Sequence, residues 1–220
     1  MMGRFEEYYI YAQKMIMQKG DIIYDARDNG NAFFLHSGIC ALGSIGKNGE
    51  MKTHLYFMDQ RIMGFAHFAR QIYPHLDKLP SNTLIIIAKT DCIVYKIDAK
   101  KLQDLIDNDV HFNHLMFETL SQNYMNIFQR YLQMEEDSVP IRVAMFLMDY
   151  ARCDEEHLLL PRFFTYSEIA EYLNIHQVTL SRIISAMRHL DCVSKEDHHI
   201  VILKPDVLKA IIDRKITLTY

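Results

Sequence analysis

Several signals of metal-binding and catalytic proteins are absent from this sequence. The four cysteines are far apart, and no C-x-x-C or C-x-x-H spacing marks a zinc or iron–sulfur site. We expect Cys40, Cys92, Cys153 and Cys192 to be buried, reduced thiols. No nucleophile–base pair, metal-ligand spacing or phosphate-binding loop is present either, so we predict no catalytic residues, no metal site and no cofactor, and an enzyme is disfavoured.

Membrane signals are missing as well. No apolar run approaches the ~20 residues that cross a bilayer, and Arg4, Glu6 and Glu7 interrupt the apolar residues that a signal peptide needs. We therefore expect a soluble, cytoplasmic protein that does not contact a membrane.

Positive charge is also scarce. The 24 Lys and Arg residues are outnumbered by 28 Asp and Glu, which gives a net charge of −4 at pH 7. A basic face is the usual electrostatic signature of nucleic-acid binding, so this composition counts mildly against that function.

The N-terminal half carries patterns typical of antiparallel β-structure. Short apolar runs separated by turn residues occupy 21–24, 32–36, 39–45, 51–58, 83–88 and 92–97. Asn48-Gly49 lies between two of these runs and predicts a hairpin, because both residues tolerate a positive φ. Residues 5–18 are predicted to form a short helix. An antiparallel sandwich or roll within an α+β fold follows from these patterns.

Two helices are predicted next. Residues 98–106 begin with Asp98 in the N-cap position. Residues 109–136 contain no Gly or Pro and carry apolar residues at alternating spacings of three and four, which is a heptad seam. The seam residues are Phe117, Leu120, Tyr124, Ile127, Tyr131 and Met134.

A second apolar side of this long helix comprises Phe112, Leu115, Met116, Met125, Phe128 and Leu132. A helix with two apolar sides needs two neighbours. We favour a homodimer seam on one side and packing against the β-domain on the other, and the alternative is a single fully buried helix.

A break at Asp137-Ser138-Val139-Pro140 precedes a second domain. Within it we predict a helix at 141–151, two short strands in 158–164, a hairpin at 192–203 and a closing helix from Pro205 to Ile212. The predicted domains are 1–108 (β-rich), 109–137 (long helix with the dimer seam) and 138–220 (second domain).

Residues 165–190 predict two helices joined by a tight turn. Thr165 with Glu168 three residues later is a capping box, and Asn174 is suited to a left-handed helix end. In the second helix, from about His176 to His189, the apolar face comprises Leu180, Ile183, Ile184 and Met187.

The opposite face of this second helix is polar at its N-terminal half, which is the half that a recognition helix presents to DNA bases. The residues we predict to contact DNA are His176, Gln177, Val178, Thr179, Ser181 and Arg182. An ordinary helical hairpin with a solvated face is the alternative, and ten Lys/Arg against eleven Asp/Glu in 138–220 do not decide between them. The predicted β-hairpin after the helix favours the winged, DNA-binding form.

These segments together resemble the Crp/Fnr superfamily of bacterial transcription regulators along nearly the whole chain. The resemblance lies in G-D-I-I-Y, F-F-L-H-S-G, N-G-E and M-G-F, with Gly20, Gly38, Gly49 and Gly64 at turns, and in V-T-L-S-R-I-I of the second helix. It implies a cyclic-nucleotide-binding-like β-roll, a dimerisation helix and a recognition helix. H-Q-V-T-L-S-R looks most like the CprK branch, whose members respond to chlorinated phenols.

Two departures from the family pattern concern the ligand. Where cyclic-nucleotide-binding members have Gly-Glu and a phosphate-binding Arg, this chain has Gly64-Phe65 and P-S-N at 80–82, so cAMP is not expected. Family members that sense oxygen carry an N-terminal cysteine cluster, whereas this chain has no cysteine before Cys40. A haem-based gas sensor using His54, His67 or His75 stays open, as does a factor controlled by no small molecule.

A third departure concerns the DNA site. Val178 stands where many members have a Glu that accepts a hydrogen bond from cytosine, and a valine packs instead on a thymine methyl. Arg182 can reach guanine or phosphate. We therefore expect an A/T-rich inverted repeat with half-sites nearer TTAAT than TGTGA.

The implied effector would bind between the β-roll and the long helix. Aromatic-rich candidates for its pocket are Tyr56, Phe57, Phe65, Asn123, Tyr124 and Ile127, which suit a flat, apolar and possibly halogenated compound. No basic residue that would hold a phenolate is evident on the long helix near Asn123. The expected partners are double-stranded DNA, this effector and a second copy of the chain, with RNA polymerase left open.

Overall fold

The computed structural model describes residues 5–25, 30–46, 49–58, 60–73, 75, 84–154, 157–196 and 199–220, apart from the side chains of His67, Asp154 and His157. The chain forms two compact units, Met1–Phe128 and Gln129–Tyr220. The boundary between the units falls inside the long helix, so the predicted three-part division stays a prediction. None of the described helices is long and apolar enough to span a membrane.

The N-terminal segment differs from its prediction. Glu6–Tyr11 is a short 3₁₀ helix, and Gln13–Met17 is a strand, β1, so the single helix predicted for 5–18 is wrong. All five residues of β1 pair with a strand some 80 residues later, from Gln13 with Lys96 to Met17 with Cys92. This long-range pairing overrides the local helical pattern.

The first unit is built from two four-stranded antiparallel sheets, which confirms the predicted β-structure. The further strands are β2 (Ile22–Tyr24), β3 (Ala32–Ser37), β4 (Ile39–Ile45), β5 (Met51–Met58), β6 (Arg61–Met63), β7 (Leu84–Ala88) and β8 (Cys92–Ile97). The strand orders are β1-β8-β3-β6 and β2-β7-β4-β5.

The predicted hairpin joins β4 to β5, from Ile39 opposite Met58 to Ile45 opposite Met51. Gly49 has a φ of +78° as the turn requires, and Gly46 N–H donates to Glu50 O at 2.8 Å. Asn48 lies outside the described residues. Gly38 is also left-handed (φ +99°), and a Cβ there would lie 2.5 Å from Asp91 O, so only glycine fits.

Apolar side chains pack on both sides of the first sheet. One buried cluster, which includes Phe33, Leu35, Phe57, Ile86 and Val94, draws side chains from strands of both sheets. The other joins the first sheet to helices and includes Phe5, Phe34, Ile62, Leu102 and Phe112. β3 contributes alternate residues to the two clusters, because successive side chains of a strand point to opposite faces.

Among the described residues, three α-helices belong wholly or partly to this unit. α1 is Ala66–Ile72, α2 is Ala99–Asn108 and α3 is Val110–Glu136. Asp98 caps α2 as predicted, because its side chain accepts from Lys101 N–H at 2.9 Å. Along α3 the buried residues are Phe112, Leu115, Met116 and Thr119, all in the N-terminal part. The alternative of one fully buried helix is therefore wrong.

The second unit contains α4 (Val139–Tyr150), β9 (Arg152–Asp154), β10 (His157–Leu159), α5 (Tyr166–Leu173), α6 (Gln177–His189), β11 (Val193–Glu196), β12 (His199–Ile202) and α7 (Pro205–Ile212). Its sheet has the order β11-β12-β10-β9. The predicted hairpin and closing helix are confirmed.

The two strands predicted in 158–164 are only partly correct. The strand ends at Leu159, and Pro161–Phe164 forms a turn in which Phe164 N–H donates to Pro161 O at 2.9 Å. Phe164 packs edge-on against Phe146, with ring centroids 5.2 Å apart. Its ring enters the core of the unit. β10 pairs with β12 on one side and with β9, which was not predicted, on the other.

The cysteines do not all follow the expectation of buried thiols. Cys40, Cys92 and Cys192 are buried, but Cys153 is exposed. A hydrogen bond with the Cys40 thiol, whose Sγ lies 3.7 Å away, lowers the pKa of Cys92 to about 7. Thiolate character favours reaction with electrophiles but burial prevents their approach, and for Cys92 burial is nearly complete.

We predict that iodoacetamide modifies one cysteine per chain in the native protein and all four after denaturation, because only Cys153 is accessible. Mass spectrometry of the intact and digested protein would count and locate the adducts. Cys153→Ser is the matched control and should leave the native protein unmodified. Rapid native labelling of Cys92 would show that thiolate character outweighs burial.

Candidate nucleic-acid interface

α5 begins as its sequence predicts. The Thr165 Oγ1 accepts a hydrogen bond from Glu168 N–H at 3.2 Å, which satisfies one of the amide groups that a helix leaves open at its start. Ile169, Ala170 and Leu173 form its buried side. The small side chain of Ala170 suits close packing against a second helix.

The turn between α5 and α6 is formed by Asn174, which adopts the left-handed conformation (φ 53°, ψ 52°). Ile175 N–H donates to Ala170 O at 3.0 Å, and Asn174 N–H donates to Glu171 O at 3.1 Å. Asparagine tolerates this conformation better than most residues, so it ends α5 sharply and allows α6 to start three residues later, at Gln177.

α6 buries the apolar face predicted for it. Leu180, Ile183, Ile184 and Met187 are each at most 1% exposed. Because residues three and four positions apart share one face of a helix, burial of these four fixes the orientation of the whole helix. The opposite face of α6 therefore points away from the core of the unit.

The predicted DNA-contacting residues lie at the start of α6. His176, Gln177, Val178, Ser181 and Arg182 are exposed, and Thr179 is half-buried. His176 precedes the helix without a side-chain capping hydrogen bond, and Val178 is an apolar side chain that is 63% exposed. These six residues together present hydrogen-bonding groups, one guanidinium group and one apolar side chain.

Charge on this surface differs from that of the chain. α6 contains Arg182 and Arg188 and no Asp or Glu, although the protein as a whole is acidic. Arg188 and His189 line a groove with Ser185, with Ser194 of β11 and with the acidic side chain of Asp191. Arg188 was not among the predicted contact residues, and the absence of acidic residues from 176 to 190 is the sequence signal that would have drawn attention to it.

The β11–β12 hairpin follows α6 directly. Val193 pairs with Ile202 and Glu196 with His199. Lys195 places its Nζ 5.3 Å from the centre of the Tyr166 ring at the start of α5. A helix pair followed by a short antiparallel hairpin with a basic residue has the geometry of a winged helix-turn-helix domain.

The heptad seam of α3 is exposed. Phe117, Leu120, Tyr124, Ile127, Tyr131 and Met134 are between 42% and 73% exposed, and the Tyr124 and Phe128 rings are stacked 6.0 Å apart. Such a row of large apolar side chains along a helix is typical of a surface that another chain covers.

The predicted effector-pocket residues occupy different surroundings. Tyr56 and Phe57 are buried in β5, with Phe57 in the cluster formed by both sheets, and Phe65 packs half-buried against the other cluster. Tyr124 and Ile127 are exposed on α3. These placements do not gather the six residues around one described cavity, and the pocket stays a prediction.

Asn123 has a basic neighbour that the sequence did not reveal. Its Oδ1 accepts a hydrogen bond from Arg61 Nη1 at 3.5 Å, and Arg61 comes from β6 rather than from the long helix. Beside this contact lies a small cleft lined by Phe5, Gln60, Arg61, Leu115, Glu118, Thr119 and Gln122. Its cavity volume is only about 20 Å³.

Two of the three histidines considered as haem ligands contact other side chains. His54 Nε2 lies 2.7 Å from Ser44 Oγ, His75 contacts the Tyr73 ring edge-on, and the His67 side chain is outside the described part. Within the described residues, no group of three or more His, Cys, Asp or Glu side chains is placed to hold a metal ion.

Sequence comparison identifies the second unit. Residues 141–211 match the family model described as the Crp-like helix-turn-helix domain. This segment is a Crp-like helix-turn-helix domain. The match spans α4 to α7 and so includes the turn at Asn174, all of α6 and the β11–β12 hairpin. No curated protein sequence is significantly similar to the chain.

Solved structures extend the likeness to the whole fold. FixK2 from Bradyrhizobium japonicum superposes with a TM-score of 0.74 at 16% identity, covering 90% of this chain and 96% of that one. A CooA mutant from Carboxydothermus hydrogenoformans gives 0.73 at 16% identity, over 94% and 90%. CprK in complex with OCPA gives 0.68 at 16% identity, over 94% and 92%.

The chain thus has the fold of the Crp/Fnr regulators, with a β-roll, a long helix and a Crp-like helix-turn-helix domain. The predicted fold class is confirmed, and the family model supports the family resemblance over residues 141–211. The CprK branch is not singled out, because FixK2, CooA and CprK are equally distant in sequence.

Proposed function

We propose that this protein is a homodimeric transcription regulator of the Crp/Fnr type that reads an A/T-rich inverted repeat and is controlled by a small aromatic effector. The observation that carries the proposal is the orientation of α6. Its apolar face is fully buried, and its N-terminal half presents a polar, acid-free surface. A helix presented in this way fits the major groove of double-stranded DNA.

The proposed dimer forms through α3. Six large apolar residues at heptad spacing are exposed over 18 residues of this helix, from Phe117 to Met134. The same seam on a second copy would bury both rows about a two-fold axis. Two α6 helices related by that axis would then contact half-sites about one helical turn apart, ~34–36 Å.

Base preference is assigned to the first turns of α6. Val178 can pack on a thymine methyl but cannot accept a hydrogen bond from cytosine N4. Gln177 and Ser181 can form hydrogen bonds with base edges, and Arg182 can reach a guanine or a phosphate. The proposed half-site is therefore A/T-rich at the position that faces Val178.

We predict that Val178→Glu changes this preference towards a G·C pair, because a carboxylate accepts from cytosine N4. The expected discrimination is about 1–3 kcal/mol per base pair. Fluorescence anisotropy with duplexes that differ only at that position would measure it. Val178→Thr keeps a methyl group and a similar shape and should retain the thymine preference. A wild-type preference for G·C at this position would contradict the assignment.

Effector control is proposed at the junction of β6 and α3. Arg61 and Asn123 bring a cation and an amide together beside the Phe5 ring and the Glu118 side chain. The cation and the ring suit an aromatic compound that carries an oxygen anion. The halogenated phenol remains the first compound to test, on the resemblance of H-Q-V-T-L-S-R to CprK.

A second candidate function is a regulator that needs no small molecule. It is favoured by the filled β-roll, where the buried cluster of both sheets includes Phe33, Leu35, Phe57 and Met63, and by the small volume of the Arg61 cleft. A cavity of about 20 Å³ is well below the ~150 Å³ that holds a benzene ring. Thermal-shift measurements with a panel of chlorinated phenols would separate the two, since a ligand must raise the melting temperature of the form it binds.

A further inference from the structure

The C-terminal end of α5 is held by two arginines from two different helices. Arg130 of α3 donates from Nη2 to Tyr172 O at 2.6 Å, and Arg142 of α4 donates from Nη1 to Leu173 O at 3.1 Å. These carbonyls are among the last four of α5, which have no partner within the helix. Both guanidinium groups also complement the negative end of the helix dipole.

Arg130 makes a second contact that Arg142 lacks. Its guanidinium carbon lies 3.8 Å from the centre of the Tyr172 ring, so the cation stacks on the same residue whose carbonyl it binds. The Tyr172 hydroxyl is 3.0 Å from the Tyr150 hydroxyl, and the Tyr172 ring lies 5.4 Å from that of Phe146. Arg130 is thus fixed to a side chain built into the aromatic core of the unit.

Arg130 lies in the part of α3 that carries the heptad seam. Ile127 and Tyr131 of the heptad seam lie three residues before and one residue after it on the same continuous helix. The carbonyl it holds, that of Tyr172, lies two residues before Asn174, which starts the turn into α6. The Arg130 side chain therefore links α3 directly to the end of α5, just before the turn into α6.

We propose that Arg130 is a positioning residue, which fixes the α5–α6 pair to the C-terminal part of α3 and so sets the separation and angle of the two α6 helices in the dimer. This inference rests on the proposed function. Arg142 is the matched control residue. It binds a carbonyl at the same end of α5, but it belongs to α4 and not to the seam helix α3.

The test uses palindromes whose two half-sites are moved apart or together by one or two base pairs. The wild-type dimer should prefer one spacing by about tenfold or more, since each added base pair shifts a half-site by ~3.4 Å and rotates it about the DNA axis. Arg130→Gln should reduce this preference to about threefold or less while leaving affinity for a single half-site within about twofold. Arg142→Gln should keep the wild-type preference.

Arg130→Lys covers the case in which Arg130→Gln does not fold. It keeps the charge at the helix end but loses the planar group that stacks on Tyr172, so it should also lose the spacing preference. A purely structural role for Arg130 would weaken binding to every spacing equally. Unchanged selectivity in either Arg130 variant would overturn the proposal.

A second readout needs neither DNA nor a dimer. Spin labels at Gln129→Cys on α3 and Ser185→Cys on α6, in a Cys153→Ser background, report the distance between the two helices within one chain. The distribution should be narrow in the parent and in Arg142→Gln, and broad in Arg130→Gln. A narrow distribution in Arg130→Gln would contradict the inference, whereas failure of the parent to bind any palindrome would count against the proposed function alone.

Discussion

Replacing Leu120 and Tyr131 together by glutamate is expected to convert the dimer to a monomer and to lower its affinity for a palindromic site by at least about 100-fold. Both side chains are exposed in the single chain, so the fold should survive. In a dimer the change would place four carboxylates in an apolar seam, where burial of unpaired charge is strongly unfavourable. Loss of the second half-site contact removes the gain in affinity that bivalent binding provides.

Light scattering after size-exclusion chromatography would give the mass, and gel-shift titration would give the affinity. Gln122→Glu with Gln129→Glu is the matched control, because it adds the same charge at exposed positions of α3 outside the seam. A double-seam variant that remains dimeric would show that another surface joins the chains.

Replacing Arg182 by alanine is expected to weaken binding to the preferred site by about 1–3 kcal/mol for each half-site. The proposed dimer would carry two copies of Arg182, so the total loss should approach twice that value. The Arg182 side chain is exposed, and α6 contains no Asp or Glu. Its removal should therefore leave the melting temperature unchanged.

Arg182→Lys separates the two partners that Arg182 could have. A lysine keeps the attraction to phosphate but cannot form the two parallel hydrogen bonds that an arginine makes with guanine. Loss of a phosphate contact would reduce the slope of log K against log salt by about one per site. Lys209→Ala on α7 is the control for loss of one positive charge elsewhere. Unchanged affinity of Arg182→Ala for the selected site would contradict a role in DNA reading.

The parts that the sequence predicted correctly are those specified by local pattern. β4, β5 and β8 have the predicted bounds because each is a short apolar run between turn residues. The turn at Asn174 and the buried face of α6 follow from capping chemistry and from a period of 3.6 residues. These signals depend on residues within a few positions of one another.

The parts that failed depend on distant residues. Gln13–Met17 is a strand because a strand at 92–97 is available to pair with it, and Phe164 leaves its predicted strand because Phe146 and Tyr150 provide an aromatic core. The contact of Arg61 with Asn123 joins residues 62 positions apart, and that of Arg130 with Tyr172 joins residues 42 apart. A local sequence pattern cannot predict such long-range pairs.

Net charge was the least informative property for function. The chain carries −4 overall, yet α6 contains two arginines and no acidic residue. Interaction with DNA depends on the charge of the surface that faces it, since charges farther away than about 8–10 Å are largely screened at physiological salt.

Selection of bound duplexes from a random pool by the purified protein, with and without chlorinated phenols, tests the central claim most directly. We predict recovery of an inverted repeat with two A/T-rich half-sites whose centres are about 10–10.5 base pairs apart. Recovery of no enriched sequence under either condition would contradict a role in DNA reading. Enrichment of a single half-site without its repeat would contradict the dimer, and the α3 seam would then need a different partner.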